Sequence, residues 1–107
     1  MEIPKLDELN LLHTQICQAL GDPKRIQILY ALNEQPLHVT ALADALATPQ
    51  PTISRHLRVL RQRALVTSRR EGATVVYELA DYRIIEILNM MRHILRDSLA
   101  RQSNILA

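Results

Sequence analysis

Pro49-Gln-Pro-Thr-Ile-Ser-Arg-His-Leu-Arg-Val-Leu-Arg-Gln-Arg-Ala64 is the stretch on which the fold turns. Ile53, Leu57, Leu60 and Ala64 recur at i, i+4, i+7 and i+11, the spacing of one buried stripe on an α-helix. Apart from Val59, the rest of the stretch is polar or basic. Thr48 is the candidate N-cap. Pro49 and Pro51 both fall in the first turn, where a missing N–H costs little. The pattern predicts a helix over about 49–64 with one apolar side and one arginine-bearing side.

Upstream, Val39 to Leu46 reads as a short helix with Leu42 and Leu46 inward, joined to the first by an Ala47-Thr48 turn. Before it, Asp22-Pro23 starts a helix, with Asp as N-cap and Pro at the first helical position. Its apolar face is Ile26, Leu29 and Tyr30. Asn33 to Leu37 reads as a loop broken by Pro36. Leu6, Leu9, Leu12, Ile16 and Leu20 predict a first helix over about 5–20, closed by Gly21 as a left-handed cap.

Downstream of Leu65 the period changes from 3.6 to 2. Val66-Thr-Ser-Arg-Arg70 and Thr74-Val-Val-Tyr-Glu-Leu79 read as two strands joined through Glu71-Gly72-Ala73. Asp81 caps a last helix over about 82–101, apolar at Ile84, Ile87, Leu88, Met91, Ile94 and Leu95; the tail from about Gln102 is expected to fray. Two short helices joined by a tight turn and followed by a hairpin make a winged helix-turn-helix, a mainly α single domain with one β-hairpin, spanning 1–107.

An α-helix fits the major groove of B-DNA, and residues near its N-terminus meet base edges. Gln50, Thr52, Ser54, Arg55 and His56 occupy that position, with His56 at the DNA face or tucked under it. Gln pairs with adenine and Arg with guanine. Arg58, Arg61 and Arg63 lie further along, suited to phosphates rather than bases. Arg69 and Arg70 flank the hairpin tip, within reach of phosphates or the minor groove. Adjacent strand residues point to opposite faces, so at most one of the two need face a duplex unless the tip twists.

The charge map agrees. Residues 1–48 carry three basic and six acidic side chains, whereas residues 49–80 carry six arginines against Glu71 and Glu78. Net charge is only +2, so the signal lies in the distribution. An acidic or apolar reading helix would instead mark a winged-helix module that binds protein. With 48% apolar residues the chain is globular, and 107 residues make one domain. It has three tyrosines and neither Phe nor Trp, which removes the aromatic platforms of single-strand and RNA readers. No Gly-rich phosphate loop, nucleophile motif or paired-carboxylate cleft points to an enzyme, and none points to a cofactor. No apolar run approaches the roughly 18 residues of a membrane helix. No signal-peptide pattern opens the chain, and one cysteine, Cys17, cannot form an intrachain disulfide, so a cytoplasmic protein with no membrane partner is expected.

The first and last helices are apolar along more than one narrow line; Ile85 and Met90 widen the last one. Helices packed on two sides fit a symmetric dimer, and dimeric readers match palindromic sites. Leu9, Leu12, Ile16, Leu88, Met91 and Leu95 are the expected interface. The alternative is a monomer whose terminal helices form one bundle.

Three stretches resemble one family. Ala19-Leu-Gly-Asp-Pro-Lys-Arg-Ile26, Pro51-Thr-Ile-Ser-Arg-His-Leu-Arg-Val-Leu60 and Leu65-Val-Thr-Ser-Arg-Arg-Glu-Gly72, with Tyr77, are similar to the arsenic-repressor (ArsR/SmtB) family of bacterial winged-helix repressors. The resemblance covers about Ile16 to Leu95. It implies a homodimer built on the first and last helices, a double-stranded DNA operator with dyad symmetry, and repression relieved by an inducer.

The inducer sites depart from the family pattern. Where the family carries Cys-Val-Cys on the third helix, this chain reads Leu37-His-Val-Thr-Ala-Leu42, without either thiolate. The family's Asp-x-His early in the last helix is Asp81-Tyr-Arg83 here. Its late ligand pair falls on Ile94 to Asp97, with His93 out of register. Members that sense sulfur or oxidants use a cysteine pair, which one cysteine cannot supply. His13 and Cys17 stand at i and i+4, a spacing at which two ligands share a metal, and a dimer could add His93 or the Cys17 of the other subunit. The plainer reading makes Cys17 a small buried hydrophobe and His13 a surface or interface residue. His38 reads as a helix-start residue. No metal is assigned, a thiol- or metal-responsive sensor using Cys17 stays open as an alternative, and the small inducer is left unidentified.

Overall fold

The computed structural model describes residues 1–106, with side chains described as far as Asn104. Five helices and three strands follow in the order α1 (Leu6–Leu12), α2 (Pro23–Glu34), β1 (Leu37–His38), α3 (Val39–Ala45), α4 (Gln50–Gln62), β2 (Val66–Glu71), β3 (Thr74–Leu79) and α5 (Arg83–Leu106). The α4 stripe reaches the centre of the core: Ile53, Leu57 and Leu60 are buried, beside Ile28 and Leu29 of α2, Leu42 of α3 and Val66 of β2. Ile84, Ile85 and Leu88 bring the start of α5 onto the same core.

Local chemistry sets the element ends. Asp22 caps α2, its Oδ1 accepting from the Lys24 amide at 2.8 Å. His38 starts α3 as expected, Nδ1 accepting from the Ala41 amide at 3.3 Å. Asp81 Oδ1 accepts from the Arg83 amide at 2.9 Å, and Asp81 pairs with the Arg83 guanidinium at 2.6 Å. The side-chain and backbone hydrogen bonds from Arg83 lower the Asp81 carboxyl to about 2. Gly72 takes φ +62 in the two-residue turn between Glu71 and Thr74, where a Cβ is disfavoured.

Several boundaries differ from the sequence reading. The first helix is not one α-helix. A π-helical turn, His13–Cys17, and a 3-10 turn, Ala19–Gly21, follow α1. Gly21 is not left-handed; Gly72 is the positive-φ glycine among the described residues. Arg25 supplies the missing cap from α2, Nε donating to Ala19 O at 2.7 Å and Nη2 to Gln18 O at 3.1 Å. Thr48 does not cap α4: its Oγ1 donates to Leu46 O at 2.8 Å, and Pro49 is the N-cap residue, without a side-chain bond. The loop before α3 contains β1, which pairs antiparallel with β3 through Leu37↔Tyr77 and His38↔Val76, so the hairpin is part of a three-stranded sheet in the order β1-β3-β2. Two residues are too short to show an alternating pattern. The last helix runs through Gln102 rather than fraying there. No Gly or Pro interrupts it, and Ala100, Arg101 and Gln102 are good helix formers.

Two left-handed residues are alanines. Ala47 (φ 48) makes the turn between α3 and α4, and Ala64 (φ 60) ends the turn after α4. Ala64 is exposed at this cap and does not complete the buried stripe. Each bend is closed by a long backbone bond, Thr48 N to Ala43 O at 3.0 Å and Leu65 N to Leu60 O at 2.9 Å, as in a Schellman cap. A Cβ in this conformation costs roughly 1–2 kcal/mol, partly offset by the entropy glycine loses on folding. Ala64→Gly is therefore expected to raise unfolding stability by about 1 kcal/mol in chemical denaturation, with DNA affinity unchanged. A loss of stability would mean that the left-handed cap is misplaced.

α1 and the far half of α5 stand away from this core. α1 has no buried residue. The radius of gyration is 16.5 Å, against about 13 Å for a compact chain of this length. No helix among the described residues is long and apolar enough to cross a membrane.

Candidate nucleic-acid interface

With Ile53, Leu57 and Leu60 turned into the core, the helical period divides the rest of α4 into two flanks. Thr52, His56, Val59 and Arg63 share one flank and are all half-buried. Gln50, Ser54, Arg55, Arg58, Arg61 and Gln62 cover the open side and are exposed. The expected base readers are thus split. Gln50, Ser54 and Arg55 point outward. Thr52 is half-turned away but its Oγ1 accepts from Arg55 Nη2 at 3.3 Å, which steadies the arginine over the first turn. His56 lies near the Asp22 cap of α2. Burial pushes the Asp22 carboxyl up, but the Lys24 amide, the His56 charge and Arg25 together hold it below its usual value.

The hairpin separates the two arginines. Arg69 shares a face with Glu71 and Glu78 and pairs with both, at 2.9 and 3.1 Å. Its charge is answered within the hairpin. Arg70 sits opposite Val75, on the other face, which also carries Ser68, Tyr77, Val66 and Leu79. That is the face whose inner part packs on the core. Among the described residues Arg70 has no ion pair. Of the two tip arginines, Arg69 is paired within the hairpin and Arg70, among the described residues, is not.

Between α4 and the hairpin runs an open groove of about 450 Å³, lined by Ser54, Leu57, Arg58, Arg61, Gln62 and Tyr77. Tyr77 was not among the expected site residues. Strand parity could have found it, since Tyr77 and Arg70 fall on one face once the register is known.

His13, Cys17 and His93 are all exposed, so Cys17 is not the buried hydrophobe expected of it. No group of three metal-binding side chains forms among the described residues. Leu88 is 3% exposed in the core of its own chain, which corrects its place among the interface residues. Leu9, Leu12, Met91 and Leu95 are exposed and Ile16 is half-buried.

A helix-turn-helix carrying its second helix on the surface beside a β-hairpin is a winged helix-turn-helix fold. The particular kind follows from comparison: a family model for bacterial regulatory proteins of the arsR family matches residues 22–68. The HTH-type transcriptional repressor SmtB of Mycobacterium tuberculosis is 40% identical over 74 residues, 69% of this chain and 55% of that protein. The chain thus spans about half the length of this repressor. An uncharacterized HTH-type transcriptional regulator of Methanocaldococcus jannaschii is 40% identical over 78 residues, 72% of this chain and 88% of the relative. Among solved structures, a homodimeric winged helix-turn-helix DNA-binding domain from Mycobacterium bovis, a possible ArsR-family regulator, superposes with a TM-score of 0.75 at 26% identity, covering 94% of this chain and 95% of that one. This chain belongs to the ArsR family.

Proposed function

We propose that this protein is a transcriptional repressor that binds a palindromic duplex operator as a homodimer, releasing it when an inducer acts. One observation carries the DNA-binding reading. The open side of α4 presents Arg55, Arg58 and Arg61, and Arg70 is exposed on the hairpin, in a stretch of positive excess that follows an acidic one. A surface of this kind attracts a polyanion, and its first turn offers Gln50 and Arg55 to base edges.

The dimer rests on the terminal helices. Among the described residues, every exposed large apolar side chain lies before residue 13 or after residue 81. Leu6, Leu9, Leu11 and Leu12 on α1 and Ile87, Met90, Met91, Ile94 and Leu95 on α5 are between 36% and 69% exposed. Within one chain these two faces do not cover each other, contrary to a simple monomeric bundle. Such an apolar area marks an interaction surface. A twofold pairing would cover it with a second copy, and the M. bovis relative is homodimeric.

Selection from a random duplex library tests the reading. Enrichment of an inverted repeat is expected, with half-sites about one helical turn apart. On the selected operator Arg55→Ala should lose about 1–3 kcal/mol of affinity and relax preference at one base pair per half-site, with little change on random duplex. Equal losses on both duplexes would remove Arg55 from base reading.

A further inference from the structure

Two lines of side chains run along α5. Ile85, Asn89 and Arg92 stand at i, i+4 and i+7 on the line that meets α2, and Ile87, Met91 and Ile94 repeat that spacing about half a turn away. The second line is exposed and belongs to the apolar face assigned above to the partner. The first begins in the core, where Ile85 is buried, and then turns polar.

The polar residues of that line meet a tyrosine. Tyr30 lies on α2 with its ring packed against the core. Its hydroxyl donates to Asn89 Oδ1 at 2.7 Å. Arg92 donates from Nη1 to the same oxygen at 3.5 Å, and its guanidinium carbon lies 5.3 Å from the centre of the Tyr30 ring, within cation–π range. The Tyr30–Asn89 bond joins residues 59 positions apart. Among the described residues, no other side-chain hydrogen bond or ion pair reaches further along the chain than from Arg69 to Glu78. The one long-range polar side-chain contact thus sits where α5 departs from its own domain: among the described residues none after Leu88 is buried. Beyond Asn89 the helix runs on to Leu106, roughly 25 Å at about 1.5 Å per residue, so a tilt of about 10° at this point moves the far end by about 4 Å.

We propose that Tyr30, Asn89 and Arg92 form a clamp that sets the angle between each reading domain and its dimerisation helix, and thereby selects the spacing between operator half-sites. The three are positioning residues and act without touching DNA. In a twofold dimer, the separation and relative rotation of the two α4 helices depend on how each domain sits on its α5. One added base pair moves a half-site by about 3.4 Å and turns it by about 34° around the duplex, so a domain held at one angle accepts one spacing. The proposal rests on the dimeric-operator reading above and adds what holds the two halves in register.

Fluorescence anisotropy of the full-length protein on its selected operator, on operators with the spacer changed by one or two base pairs, and on a single half-site tests it. The parent should bind one spacing best and lose up to about 10²-fold on the others, where both half-sites cannot be engaged together. Tyr30→Phe keeps the packed ring and removes the donor; Asn89→Leu removes the acceptor that Tyr30 and Arg92 share. Each should weaken the selected operator by about three- to tenfold and narrow the gap between preferred and altered spacings by a similar factor. Half-site affinity and the dimer dissociation constant from sedimentation should match the parent's. Asn89→Asp keeps the acceptor and should retain the parental spacing profile. An unchanged profile in Tyr30→Phe and Asn89→Leu would mean that the clamp does not set the angle, and an Asn89→Asp protein that behaves like Asn89→Leu would exclude the shared acceptor. A half-site loss as large as the operator loss would put the effect in the reading domain, and a dissociated dimer would put it in the interface; either overturns the assignment. A parent protein with no preference among the spacings would instead overturn the dimeric-operator reading, before any substitution is made.

Discussion

Leu95→Asp is expected to turn the dimer into a monomer and to abolish tight operator binding. Leu95 is 55% exposed in the single chain, on the α5 face with Met91, beyond the core contact made by Leu88. A carboxylate there is hydrated in the monomer and harmless to the fold. In a twofold interface it occurs twice, each time set among the apolar side chains of α5. An uncompensated buried charge costs about 3–5 kcal/mol, and each 1.4 kcal/mol is a factor of ten in the dimer dissociation constant. Association should therefore weaken by several orders of magnitude, enough to leave monomer at micromolar concentration in analytical ultracentrifugation. Operator affinity should fall by about 10²–10⁴, because the second half-site no longer binds as an intramolecular event. Circular dichroism should still report a folded monomer. A Leu95→Asp protein that sediments as a dimer would remove this face of α5 from the interface.

What could be read from the sequence follows from how each signal is encoded. Ile53, Leu57 and Leu60 repeat over two turns of one helix, so α4 and its buried side were legible without coordinates. The hairpin was legible because Val66–Arg70 and Thr74–Leu79 bracket Gly72, although Glu71, read as part of the turn, is the last residue of β2 and pairs with Thr74. The cap at Asp22 is a local Asp-Pro signal and held. Signals that depend on a distant partner were not legible. Strand β1 exists because Leu37 and His38 find Tyr77 and Val76, some forty residues away. Gly21 looked like a helix cap, but the carbonyls there are satisfied by the guanidinium of Arg25. The left-handed positions that do occur went to alanines, which carry no compositional flag. Leu88 and Met91 belong to one apolar pattern, and only packing shows that Leu88 is buried in its own chain while Met91 remains outside.

The candidate site shows the same division. The arginine-rich stretch was visible in the charge map, but charge alone made six arginines equivalent. The fold distinguishes them: Arg69 is answered by Glu71 and Glu78, whereas Arg70, Arg58 and Arg61 are left free on the groove side. His56 and Thr52 lie in the first turns by number, yet the helical period turns them toward the protein rather than the open face. The inducer ligands expected from the resemblance are absent at their places, and His13, Cys17 and His93 do not gather into a three-donor group among the described residues.

Leu57→Ala is expected to have the largest effect on stability and to show that the interface is built on the core. Leu57 is 1% exposed. It touches the centre of the domain on one side and floors the α4–hairpin groove on the other. Truncation of a buried leucine costs about 2–5 kcal/mol, depending on how far the surroundings relax. A domain of this size has roughly 5–15 kcal/mol in all. A loss of about 3 kcal/mol would lower the thermal midpoint by about 10–20 °C at fixed protein concentration, which must be held constant because dimerisation also stabilises. The neighbouring groove offers little help in relaxation, since its walls are exposed Arg58 and Arg61 rather than apolar chains that could fill the space. Arg61→Gln, on the same helix but outside the core, should change the midpoint by only a degree or two while weakening DNA. The pair of variants therefore separates the two roles of α4: one residue holds the helix in place and the other meets the duplex. A Leu57→Ala protein that melts within a few degrees of its parent would mean that α4 is not anchored through this side chain.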